Sequence, residues 1–141
     1  MAADKEAVVL SFLNMFDGGA WPDFDKLVSM FADECECYVV YPTTPPVTTR
    51  DALKEELERQ AKDSANPEVD IKAIASKGNT VFVERVDSFL THGKPLTICI
   101  NSVFEVNDAG KITAWREYMD PTTTLKQLGI SYDDMQKLLE G

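Results

Sequence analysis

Apolar residues first recur at helical spacing and then, after residue 68, at strand spacing. Val8, Val9, Phe12, Leu13 and Phe16 fall on one face of a helix over residues 4–16. Gly18-Gly19 ends it. Pro22 suits the first position of a second helix, with Phe24, Leu27, Val28 and Phe31 as its stripe. Residues 35–41 are β-branched and aromatic and predict a strand. Pro42, Pro45 and Pro46 force a loop after it, because proline gives a sheet no donor. Thr49 is placed to cap a third helix reaching about Lys62, with Ala52, Leu53, Leu57 and Ala61 on its apolar side.

Beyond Ser64-Ala65-Asn66-Pro67 the period changes. Residues 69–75, 80–91, 96–106 and 111–120 read as four strands. Lys77-Gly78-Asn79, His92-Gly93-Lys94 and Asn107-Asp108-Ala109-Gly110 join them, and links this short favour antiparallel hairpins. Leu125, Leu128, Met135, Leu138 and Leu139 suggest a helical tail. The order α-α-β-α-β-β-β-β-α indicates an α+β fold. A strongly curved, mostly antiparallel sheet with the N-terminal helices across its concave face would make a cone with an internal pocket. No linker, repeat or low-complexity run divides residues 1–141, so one domain is expected.

Charge narrows the partners. With 14 Lys and Arg against 24 Asp and Glu, the net charge is −10, which opposes binding to nucleic acid or to an anionic membrane. The N-terminus has no apolar core of the kind that targets secretion, and no apolar run approaches membrane-spanning length. The expected location is the cytoplasm. Three cysteines, Cys35, Cys37 and Cys99, do not suggest a disulfide framework. With His92 alone in a predicted turn, no metal site is expected, and the cysteines read as small apolar residues. Nothing calls for a cofactor.

Two strings carry the chemistry. In Glu84-Arg85-Val86-Asp87, Arg85 and Asp87 project from one face of a strand. In Trp115-Arg116-Glu117-Tyr118-Met119-Asp120, Arg116, Tyr118 and Asp120 share a face. On inward faces such groups are costly unless they satisfy one another. Arg85 between Asp87 and Asp120 would present a planar fork to two carboxylates. Two carboxylates and one arginine leave one negative charge. A shared proton neutralises it and yields an acid and a base side by side. An exposed ion pair explains Arg85 and Asp87 equally well from spacing alone. Arg116 and Glu117 read as surface charges and Trp115 as packing. Tyr118 either supports the site or fills the core.

These strings, with Val103-Phe104 and Gly110-Lys111-Ile112 between them, resemble the limonene-1,2-epoxide hydrolase family, part of the larger group with the nuclear-transport-factor-2-like cone fold. The resemblance implies a one-step opening of an epoxide by an Asp-Arg-Asp triad, with no covalent intermediate. Asp120 would be the base that activates water, Asp87 the acid that protonates the epoxide oxygen, and Arg85 the bridge between them. It also implies a tyrosine and an asparagine that position the water. Counted back from Pro45-Pro46 and Arg50, those places fall on Val39 and Tyr41, so only Tyr41 offers a hydroxyl. A homodimer through the outer sheet face, and a small lipophilic substrate, are implied as well. Phe12, Phe16, Phe31, Phe89, Ile98 and Ile100, or their immediate neighbours, are expected to feed the pocket, with the three loop prolines near its mouth. An isomerase or cyclase of the same fold, or a non-catalytic ligand-binding dimer, remains open.

Overall fold

The computed structural model describes residues 4–42, 44–131, 133, 134 and 137. Thr43 of the proline loop, and Met135, Leu138 and Leu139 of the expected tail helix, lie outside the described residues.

Helix α1 spans Lys5–Asn14, and Asp4 caps it by accepting from the Ala7 amide. Its inner side buries Val9, Phe12 and Leu13. Helix α2 is only Phe24–Val28. Asp23, which accepts from the Asp25 and Lys26 amides, sets its start, so Pro22 stands before the cap rather than at the first helical position. Phe31 is the first residue of strand β1, Phe31–Tyr38, and not the last of the helical stripe. The strand therefore begins four residues earlier than expected and stops at Tyr38. A three-residue strand β2, Val47–Thr49, pairs with it; so short a segment shows no alternation to read. Helix α3, Arg50–Lys62, starts at the predicted cap, where Thr49 accepts from the Ala52 amide.

The remaining strands are β3 (Ser64–Lys77), β4 (Thr80–Thr91), β5 (Lys94–Val106) and β6 (Ile112–Tyr118). Strand β3 takes in Asn66 and Pro67, which the sequence marks as a break. A register shift between Ala65 and Glu68, with Asn66 at φ 55°, carries the strand past them. Helix α4, Pro121–Gln127, follows.

The six strands form one curved, open sheet in the order β2-β1-β6-β5-β4-β3. All neighbours are antiparallel except β1 and β6. Strands β3 to β6 pair in sequence order because tight turns join them. Strand β1 then closes on the free edge of β6. Helices α1 and α3 pack across the inner face. Phe12 meets Phe31, Phe104 and Trp115 edge-on, with ring centroids 5.0 to 5.8 Å apart. Each such buried side chain contributes about 1.5–3 kcal/mol of hydrophobic stabilisation. A smaller cluster, Leu96, Ile98 and Ile100, occupies the other end of β5 with Phe89, Met119 and Leu128 against it. Among the described residues no helix is long and apolar enough to cross a membrane.

Candidate active site

Arg85 lies on the inward row of β4 and is 3% exposed. An arginine there requires acceptors, and three residues supply them. Nε donates to Asp87 Oδ1 at 2.9 Å, and Nη2 to Asp87 Oδ2 at 3.3 Å. Nη2 also donates to Glu117 Oε1 at 2.6 Å. Nη1 donates to the Ser102 hydroxyl oxygen. Asp87 follows Arg85 by two residues and so shares its face. Glu117 arrives from β6, reaching Arg85 across β5.

The electrostatics follow from burial. Two carboxylates face one guanidinium, so full ionisation leaves a net negative charge inside the protein. Desolvation pushes the Glu117 carboxyl above its ordinary range, against the pull of Arg85, and the Asp87 charge acts in the same upward direction. Desolvation also raises Asp87, again opposed by Arg85. Burial alone would lower the Arg85 pKa, but Glu117 and Asp87 outweigh it and hold the guanidinium more firmly protonated. Among the described residues, Glu117 Oε2 and the Trp115 indole Nε1 are both buried with no partner at normal hydrogen-bond geometry. The indole, on the same face of β6, eases the charge on Glu117.

Asp120 is not part of this group. It caps α4, accepting from the Thr122 amide at 2.9 Å and from the Thr123 hydroxyl. Its hydrogen bond from Thr123, with help from Thr122, holds its carboxyl below the ordinary range. The cause is strand parity and length. Trp115 and Glu117 point inward, so Arg116 and Tyr118 point out, and β6 ends at Tyr118 before Asp120 is reached. Arg116 pairs with Glu105 at 3.1 Å, and Tyr118 is 40% exposed. Glu117, expected to be a surface charge, is the second carboxylate of the site.

Neither Tyr41, offered as the water-positioning hydroxyl, nor Tyr118, offered as support for the site, reaches the cluster. Tyr41 packs between Tyr38 and Tyr118, with centroids 4.9 and 5.0 Å away, in a group on the outer side of the β1–β6 pair. Cys37 is in register with inward Trp115, and Tyr38 with outward Arg116. Of the two positions the resemblance assigns to water positioning, Val39 lines the cavity, beside Cys37, Tyr38 and Val40, and Tyr41 does not.

That cavity has a volume of about 500 Å³, and Arg85, Asp87 and Glu117 stand in its wall. Phe16, Phe89, Ile98 and Ile100 line it as expected. Phe12 and Phe31 themselves belong to the packed core, and Leu13, the neighbour of Phe12, lines the cavity in its place. Pro42, Pro45 and Pro46 do not border it. Leu125 of α4 and Leu128, which caps its C-terminal end, add a wall that the sequence did not suggest. Cys35 and Cys37 are buried and Cys99 is exposed. Among the described residues no three His, Cys, Asp or Glu side chains converge as a metal-ligand set.

Sequence reasoning missed Glu117 and Ser102. The signals were present. Glu117 shares parity with Trp115, an obvious core residue. Ser102 interrupts the row Leu96, Ile98, Ile100, Phe104, Val106, where each other member is large and apolar.

Against known proteins, the family model of the limonene-1,2-epoxide hydrolase catalytic domain matches residues 3–129. A solved structure of an M. tuberculosis LEH-like epoxide hydrolase is 25% identical, covering 99% of this chain and 97% of its own, with a TM-score of 0.75. A hypothetical protein of ketosteroid isomerase-like fold from Catenulispora acidiphila DSM 44928, solved with trimethylamine, is 20% identical. It covers 89% of this chain and 95% of its own at a TM-score of 0.77, a likeness of fold alone.

Proposed function

The chain belongs to the limonene-1,2-epoxide hydrolase family, and from that premise we propose that it adds water to a small lipophilic epoxide in one step, using Arg85, Asp87 and Glu117. The observation that carries this reading is the single guanidinium holding two carboxylates, at 2.9 and 2.6 Å, in the wall of a largely apolar cavity. One proton shared by the carboxylates brings the cluster to neutrality, and the upward push on both of them favours its retention. Glu117 takes the role of base towards water, in the place first given to Asp120. Asp87 protonates the epoxide oxygen as the C–O bond breaks. The proton that water releases ends on Glu117, and exchange with solvent restores the starting state. Arg85 keeps its charge throughout and holds the two carboxylates at a fixed spacing.

An isomerase or cyclase acting on the same class of substrate is the second reading. Val39, apolar where the resemblance places a water-positioning group, favours it, since rearrangement needs no positioned water. Incubation with a panel of lipophilic epoxides in oxygen-18 water separates the two. A diol carrying one label per turnover is expected for hydrolysis. Unlabelled rearranged product would replace hydrolysis with isomerisation, and no turnover on any epoxide would remove both.

A further inference from the structure

We propose that Ser102 is the positioning residue of this site: it makes room for Arg85 to cross β5 and locks the rotation of its guanidinium, so that one fork spans both carboxylates. The proposal rests on the acid/base reading above and adds a residue to it.

Register explains the placement. Ser102 stands opposite Val83 on β4 and opposite Glu117 on β6. Arg85 is two residues along β4 from Val83, on the same face. To reach Glu117 its side chain must pass diagonally over β5 at residue 102. Every other inward residue between Leu96 and Val106 is large and apolar; Ser102 is small, polar and 1% exposed. A larger side chain would fill the path of the guanidinium.

The hydroxyl does a second job. Asp87 holds Nε and one side of Nη2, and Glu117 holds the other side of Nη2. Nη1 has the Ser102 oxygen as its acceptor. A guanidinium is planar, so fixing Nη1 fixes the plane in which Nε and Nη2 meet the carboxylates. Without that acceptor, a buried cationic donor is left unsatisfied. The fork is then free to tilt towards one carboxylate at the expense of the other.

Ser102→Ala keeps the side chain small and removes the acceptor. Nitrogen-15 spectra of the intact protein report on Arg85 directly, whatever its activity. In the wild type, Nη1 and Nη2 should give separate resonances with slowly exchanging protons. In Ser102→Ala they should broaden or merge. On an epoxide the wild type turns over, kcat should fall about 10- to 100-fold, with KM within about threefold and a displaced acidic limb in the pH–rate profile. Unchanged Arg85 resonances in Ser102→Ala would overturn the proposal even in an active enzyme. So would altered resonances with an unchanged kcat. If the wild type turns over no epoxide, the hydrolase reading fails, and the spectra alone decide whether Ser102 holds the guanidinium.

Discussion

Glu117 and Asp120 are three residues apart and live in opposite environments. Glu117 is the last inward side chain of β6, buried against Arg85, with its carboxyl pushed up by desolvation. Asp120 lies past the strand end, exposed, with its carboxyl pulled down by the hydroxyl and amides of the helix it caps. Both belong to one charged string. The contrast teaches that a carboxylate's chemistry is set by which side of the sheet it leaves from, and by whether the strand still continues at that point.

The sharpest test of the contrast is activity. Asp87→Asn and Glu117→Gln should each lower turnover about 10²–10⁴-fold, because each removes half of the proton transfer. The losses should not add in the double variant, since the carboxylates act as one unit. Asp120→Asn should stay within about threefold of wild type. Steady-state kinetics on an epoxide identified with labelled water checks all four proteins. A dead Asp120→Asn beside an active Glu117→Gln would reverse the assignment.

Arg85→Ala comes next. It leaves two buried carboxylates without their counter-ion, and breaking a buried pair in this way costs about 3–5 kcal/mol. Urea unfolding at neutral pH should show a loss of that order. The loss should shrink in acid, as the two carboxyls take up protons. A surface ion pair would give less than about 1 kcal/mol.

The pH dependence of stability separates the two carboxylates by sign. Glu117 has a raised folded-state pKa, so the folded protein holds its proton more tightly than the unfolded chain. Its stabilising contribution is complete below the ordinary carboxylate range, around pH 4, and is lost as pH rises through the raised value. Asp120 has a lowered pKa, so its contribution is present above that range and lost as pH falls through the lowered value. Thermal melts across pH should therefore show Glu117→Gln flattening the decline on the neutral side. Asp120→Asn should flatten only the acidic side. The smallest effect is expected from Tyr41→Phe, since that ring packs outside the cavity. Turnover within about twofold of wild type is the outcome, and a large loss would bring the Tyr41 hydroxyl back to the reaction.

Much was legible in the sequence. Period-two alternation and short turns located β4 and the paired face of Arg85 and Asp87, because side-chain direction along a strand is a local property of the backbone. The Thr49 cap was legible for the same reason, and residues 1–62 showed the helices that close the inner face. Local signals failed where two elements compete for the same residues. Phe31 fits a helical stripe as well as a strand, and pairing with Ile112 on β6 decides for the strand. Tyr118 and Asp120 share parity on paper, but parity has meaning only while a strand lasts, and the helix cap claims Asp120 first. Which row of β6 faces inward, whether Glu117 lies within reach of Arg85, and why residue 102 must be small are settled by the register of β4, β5 and β6 together. That register depends on side chains far apart in the chain meeting across a curved sheet, and no single segment carries it.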